Sequence, residues 1–69
     1  MHLVNTVKKD DILSDPLITM FAVPPKDKVE ESDRLEVWGS DFDDEGDDYC
    51  EYRLMNGTEV VWQRRIAGY

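Results

Sequence analysis

Between Ser40 and Asp48 the chain places six carboxylates, one glycine and no cation. Like charges at that density repel, so the stretch cannot be the middle of a buried element. The chain has to hold it out into water or against something positive. The residues after Asp48 read as a β-hairpin, a rigid base for such a loop.

The hairpin signal is local and strong. Tyr49-Cys50-Glu51-Tyr52-Arg53-Leu54-Met55 alternates, Asn56-Gly57 is the best turn dipeptide in the chain, and Thr58 to Ile66 is the return strand. The apolar sets Cys50, Tyr52, Leu54 and Val60, Trp62, Ile66 all sit on even numbers. A two-residue loop would set Leu54 opposite Glu59. A three-residue loop, Met55-Asn56-Gly57 with Gly57 left-handed, pairs even with even. That register puts Tyr52 opposite Val60, Cys50 opposite Trp62 and Arg53 opposite Glu59. Val61 is the misfit and marks a second packed surface.

Upstream, Met1 to Val7 reads as a short edge strand. Lys8 to Leu13 reads as one or two helical turns, with Thr6 as N-cap and Ile12 and Leu13 packed inward. Leu17 to Val23 is a seven-residue apolar run stopped by Pro24-Pro25, and its length and content favour a buried strand. Asp15-Pro16 also fits the start of a helix at the same place. Pro24 to Asp33 reads as a polar connection pinned by Val29. Arg34 to Gly39 alternates as a strand, with Leu35 and Val37 on one face and Glu36 and Trp38 on the other. The expected fold is α+β and mostly β: a small antiparallel sheet of three to four strands with a short N-terminal helix or helical turn. Residues 1–69 read as a single small acidic domain.

Sixteen acids against eight bases leave a net charge of −8. That balance argues against direct binding to nucleic acid or to an anionic membrane, both of which attract Lys and Arg. It favours a basic partner, although many small proteins are acidic for solubility alone. Cys50 is the only cysteine, so no internal disulfide can form. No signal peptide and no membrane-spanning run are apparent, and a cytoplasmic location is expected.

Three chemistries are open to the acidic stretch. Asp41-x-Asp43-x-Glu45-Gly46 resembles the first half of an EF-hand loop, but the twelfth position is Tyr52 and the flanks read as strands, so only low-affinity divalent-ion binding is left. Paired-carboxylate catalysis needs one desolvated carboxyl, which an exposed run does not supply. Cys50 has only His2 as a candidate base and reads as a small buried hydrophobe, so no enzyme activity and no cofactor are expected. The third chemistry is imitation of nucleic acid. Carboxylates at alternate positions of an extended chain lie roughly 6.6–6.8 Å apart. Two steps along a DNA strand advance about as far, with a phosphate at each. From Glu30 to Glu51 eleven acids face Arg34 alone, for a segment charge of −10.

In length, lone cysteine, charge and the Asp41–Asp48 cluster, the chain resembles in type the small acidic inhibitors encoded by bacteriophages. These include DNA-mimic anti-restriction proteins, uracil-DNA glycosylase inhibitors and anti-CRISPR proteins. The resemblance is one of composition over the whole chain and transfers no residue role. It implies a stoichiometric inhibitor acting in the host cytoplasm, which blocks the nucleic-acid site of a basic host protein or ribonucleoprotein complex. The residues expected to carry binding are Glu36, Asp41, Asp43, Asp44, Glu45, Asp47, Asp48 and Glu51. The alternative is an interaction or structural module with an aromatic contact surface, for which Trp38, Phe42, Tyr49 and Tyr69 are the candidate anchors.

Overall fold

The strands pair in chain order. The computed structural model describes residues 1–40 and 49–67. In it β1 (His2–Lys8), β2 (Arg34–Gly39), β3 (Tyr49–Asn56) and β4 (Glu59–Ala67) form one antiparallel sheet ordered β1-β2-β3-β4. A 3₁₀ helix (Lys9–Ser14), α1 (Pro16–Phe21) and α2 (Lys26–Glu31) lie between β1 and β2 in sequence. This is the small, mostly β, α+β fold that the alternating segments predict.

The run Leu17–Val23 is not a strand. One Asp15 carboxylate oxygen accepts the backbone N–H groups of Leu17 at 2.9 Å and Ile18 at 3.2 Å, capping α1, and Pro16 occupies its first turn. A cap and a proline at N1 satisfy or remove the donors that open a helix, and that local chemistry overrides the strand preference of the run. Of its apolar residues only Ile18 and Ala22, four apart, turn inward. The connection expected over Pro24–Asp33 also contains a helix. The Pro25 carbonyl accepts from Lys28 and Val29, starting α2, and Val29 plugs it onto the core. Thr6 caps nothing: it pairs with Glu36 inside β1, and the 3₁₀ helix begins two residues beyond Val7, burying Ile12 but leaving Leu13 half exposed.

The β3–β4 register differs from the expected one. The loop is the two residues Gly57-Thr58, because Asn56 already pairs with Glu59. Gly57 has φ of 62°, and no other described residue has positive φ, the pattern of a type II′ turn with glycine first. Even still pairs with even, for another reason: the ladder jumps from Met55–Val60 to Leu54–Trp62, and Val61 is the extra residue of a bulge. Tyr52 therefore faces Arg64 rather than Val60, Cys50 faces Ile66 rather than Trp62, and Arg53 faces Gln63 rather than Glu59. The bulge turns Val61 onto the core beside Trp62, which accounts for its misfit in the alternation.

Alternation gives the sheet two distinct faces. One carries Val7, Leu35, Tyr52 and Leu54 and packs against Ile12, Ile18, Ala22 and Val29 from the helices. Ile12, Ile18, Leu35 and Leu54 are its most deeply buried side chains. The other face carries Arg34, Glu36, Trp38, Glu51, Arg53 and Arg65, and among the described residues no helix lies over it.

Candidate functional site

The sheet brings the two ends of the acidic stretch together. Gly39 pairs with Cys50, the Ser40 amide donates to the Tyr49 carbonyl at 3.0 Å, and the Tyr49 amide donates to Ser40 Oγ at 3.1 Å. Residues 41–48 thus join adjacent ends of β2 and β3, the two inner strands, each paired on both sides. Asp41, Asp43, Asp44, Glu45, Asp47 and Asp48 lie outside the described residues, as does the calcium-like spacing.

Glu36 and Glu51 are described, and both are engaged. Glu36 accepts from Arg34 Nε and from the Trp38 indole, each at 3.1 Å. Glu51 is 4% exposed although it lies on the helix-free face. It is held by Arg53 Nε and, at 3.2 Å, by Arg65. Burial pushes its carboxyl up, but the two guanidinium hydrogen bonds outweigh that and hold its pKa below the ordinary glutamate value. Arg53 also lies 4.9 Å from the Trp38 ring centre, and Arg65 4.3 Å from that of Tyr49. The aromatic anchors expected on this face are therefore capped by guanidinium groups, and Phe42 and Tyr69 lie outside the described residues.

A second network ties the β3–β4 turn to the start of β2. Asp33 accepts from the Gly57 amide and from Arg34, which lowers its pKa, while Arg34 also donates to the Gly57 carbonyl. The end of the sheet away from the acidic stretch is thereby fastened by charged hydrogen bonds.

At the opposite end the described residues leave part of the helix-side face open. A hollow of about 550 Å³ opens there, floored by Val7, Val37 and Tyr52 and walled by Val4 and Leu17. Ser40 and Tyr49, the residues that flank the acidic stretch, stand on its rim with His2 and the capping Asp15. Gly39 belongs to this floor: a Cβ there would meet the Val4 side chain at 3.0 Å.

Sequence reasoning missed this hollow because it took Leu17 for a strand residue. Cys50 is buried beside it, and burial raises its thiol pKa. Among the described residues no three His, Cys, Asp or Glu side chains converge as a metal site. No described helix is long and apolar enough to cross a membrane. No family model, curated protein or solved structure matches the chain.

Proposed function

We propose that the chain is a non-enzymatic inhibitor that occupies the nucleic-acid site of a basic host protein or ribonucleoprotein complex with its acidic stretch, in the manner of the small phage inhibitors it resembles. The observation that carries the reading is the placement of that stretch. Six carboxylates span the short interval between two adjacent, hydrogen-bonded strand ends. The described arginines of the helix-free face are meanwhile spent on Glu36, Glu51 and Asp33 within the sheet. Each of these arginines thus has a described carboxylate partner, and the reading assigns the charge concentrated on Asp41–Asp48 to an external basic partner. Glu36 and Glu51 serve the reading as the ion-paired footing of the two strands rather than as contacts.

The test is charge reversal. Asp43, Asp44, Asp47 and Asp48 changed together to Lys should abolish capture of nucleic-acid-handling proteins while the circular dichroism spectrum and urea midpoint stay native. Undiminished capture by the reversed variant rejects the reading.

The runner-up reading, an interaction module with an apolar contact, draws support from a different place than expected. Leu17 and Met20 on α1, and Val23 just beyond it, are 52%, 71% and 54% exposed, which gives this segment an apolar outer side. Binding through that side should survive high salt and be insensitive to the charge reversal.

A further inference from the structure

We infer that the hollow at the root of the acidic stretch is an anchor site for one aliphatic or aromatic side chain of the partner, presented by a segment whose neighbouring residues are Lys or Arg. The basic character of that segment rests on the anionic-binding reading above; the hollow itself rests on geometry.

The volume of about 550 Å³ lies in the range of sites that enclose a small ligand or a large side chain. Its walls are apolar, and two of them are held open at a cost in exposed surface: Val4 is 57% exposed and Leu17 52% exposed. Val4 is the extra residue of a β1 bulge, since Leu3 pairs with Trp38 and Asn5 with Val37. Bulges re-aim side chains. Here the bulge coincides with Gly39, whose missing side chain lets Val4 lie close to β2. On the far wall, Leu17 is set by the Asp15 cap, so two local devices shape the site.

Charge decides what fills it. Asp15 stands on the rim as an anchored carboxylate, and the rim residues Ser40 and Tyr49 bracket six more carboxylates in sequence. A second copy of the chain would bring another −8 to the same place and be repelled. A cationic segment with an apolar side chain at its centre meets both requirements. Burial of that side chain supplies affinity that salt does not screen, and the surrounding Lys or Arg supply steering.

The test uses two synthetic peptides, each with a central residue flanked by three lysines on either side. One has Trp at the centre and the other Gly. Binding is followed by two-dimensional NMR on the full chain at 50 mM and 500 mM NaCl. The Trp peptide should bind at least tenfold more tightly than the Gly peptide, shift the signals of Val4, Leu17, Val37 and Tyr52, and retain measurable binding at high salt. Val4→Ser and Leu17→Ser, both at exposed positions and both neutral, should remove the Trp preference while leaving the Gly peptide unaffected. Equal affinity of the two peptides, or shifts away from the hollow, would overturn the anchor while leaving the anionic reading intact. Failure of both peptides to bind at low salt would overturn the anchor and the anionic reading together. A Trp preference abolished because the free chain dimerises through Val4 and Leu17, seen by sedimentation, would assign the hollow to a second copy and overturn the proposal.

Discussion

The two faces of the sheet handle exposure in opposite ways. Among the described residues no helix covers the helix-free face, yet its groups satisfy one another: Glu51 is almost fully buried and held by Arg53 and Arg65, and guanidinium groups cap Trp38 and Tyr49. The helix-side face has a cover, yet among the described residues a largely apolar hollow is left at the end where the acidic stretch departs. On the proposal made above, the first face is scaffold and the second, at whose end Ser40 and Tyr49 flank the acidic stretch in sequence, is the side that meets a partner.

The largest expected effect lies under the helices. Leu54→Ala removes a fully buried side chain and should cost about 2–5 kcal/mol. Native domains hold only about 5–15 kcal/mol, and short chains sit low in that range, so a urea melt should show the variant largely unfolded or close to it. A midpoint near the native one would mean that the helix layer is not the core.

Glu51→Gln probes the other face. It should cost on the order of 1–3 kcal/mol by removing the negative charge and replacing one of the two oxygens that accept from Arg53 and Arg65 with an NH2 donor. Because the folded state holds this carboxyl below its unfolded pKa, its contribution is fully present above the ordinary glutamate range and is lost as pH falls through the folded value. The gap between native and variant should be complete at pH 7 and shrink once the pH drops below about 4.3. A gap that does not change with pH would show that this face is not held by the Glu51 charge.

Smaller effects are expected at the margin of the cover. Asp15→Ala should cost about 1 kcal/mol, the usual cost of losing an N-cap, and should reduce helical circular dichroism. No change in either would return the Leu17–Val23 run to the strand reading. Met20→Ser, at a position 71% exposed, should move stability by no more than about 0.5 kcal/mol. A larger loss would mean that the outer side of α1 is buried in the folded protein.

Much of the sheet was legible in the sequence because a strand with one wet face writes itself as alternation. Leu35 and Val37 against Glu36 and Trp38 separate into the two faces as the pattern requires. The helical turn expected at Lys8–Leu13 is present as the 3₁₀ helix Lys9–Ser14, but α1 and α2 were not legible in the same way. A six-residue helix has too few turns to show a period, so Leu17 to Val23 looks like any short apolar run, and only the Asp15-Pro16 pair gives it away. The register failed at one residue. Nothing in Val60-Val61 says which valine will bulge, although Val61 did stand out as the residue that broke the alternation. The hollow was not legible either, because its Leu17 wall exists only once that run is read as the Asp15-capped helix.

The central claim is that the acidic stretch occupies a surface built for nucleic acid. Its most direct test is competition. Proteins captured from a bacterial lysate on the immobilised chain are challenged with excess duplex DNA and, separately, with structured RNA, at constant salt. Release of the captured proteins by one of the two polyanions, but not by an equal ionic strength of NaCl, is the predicted result. Captured proteins that remain bound while filling their own nucleic-acid sites would contradict it.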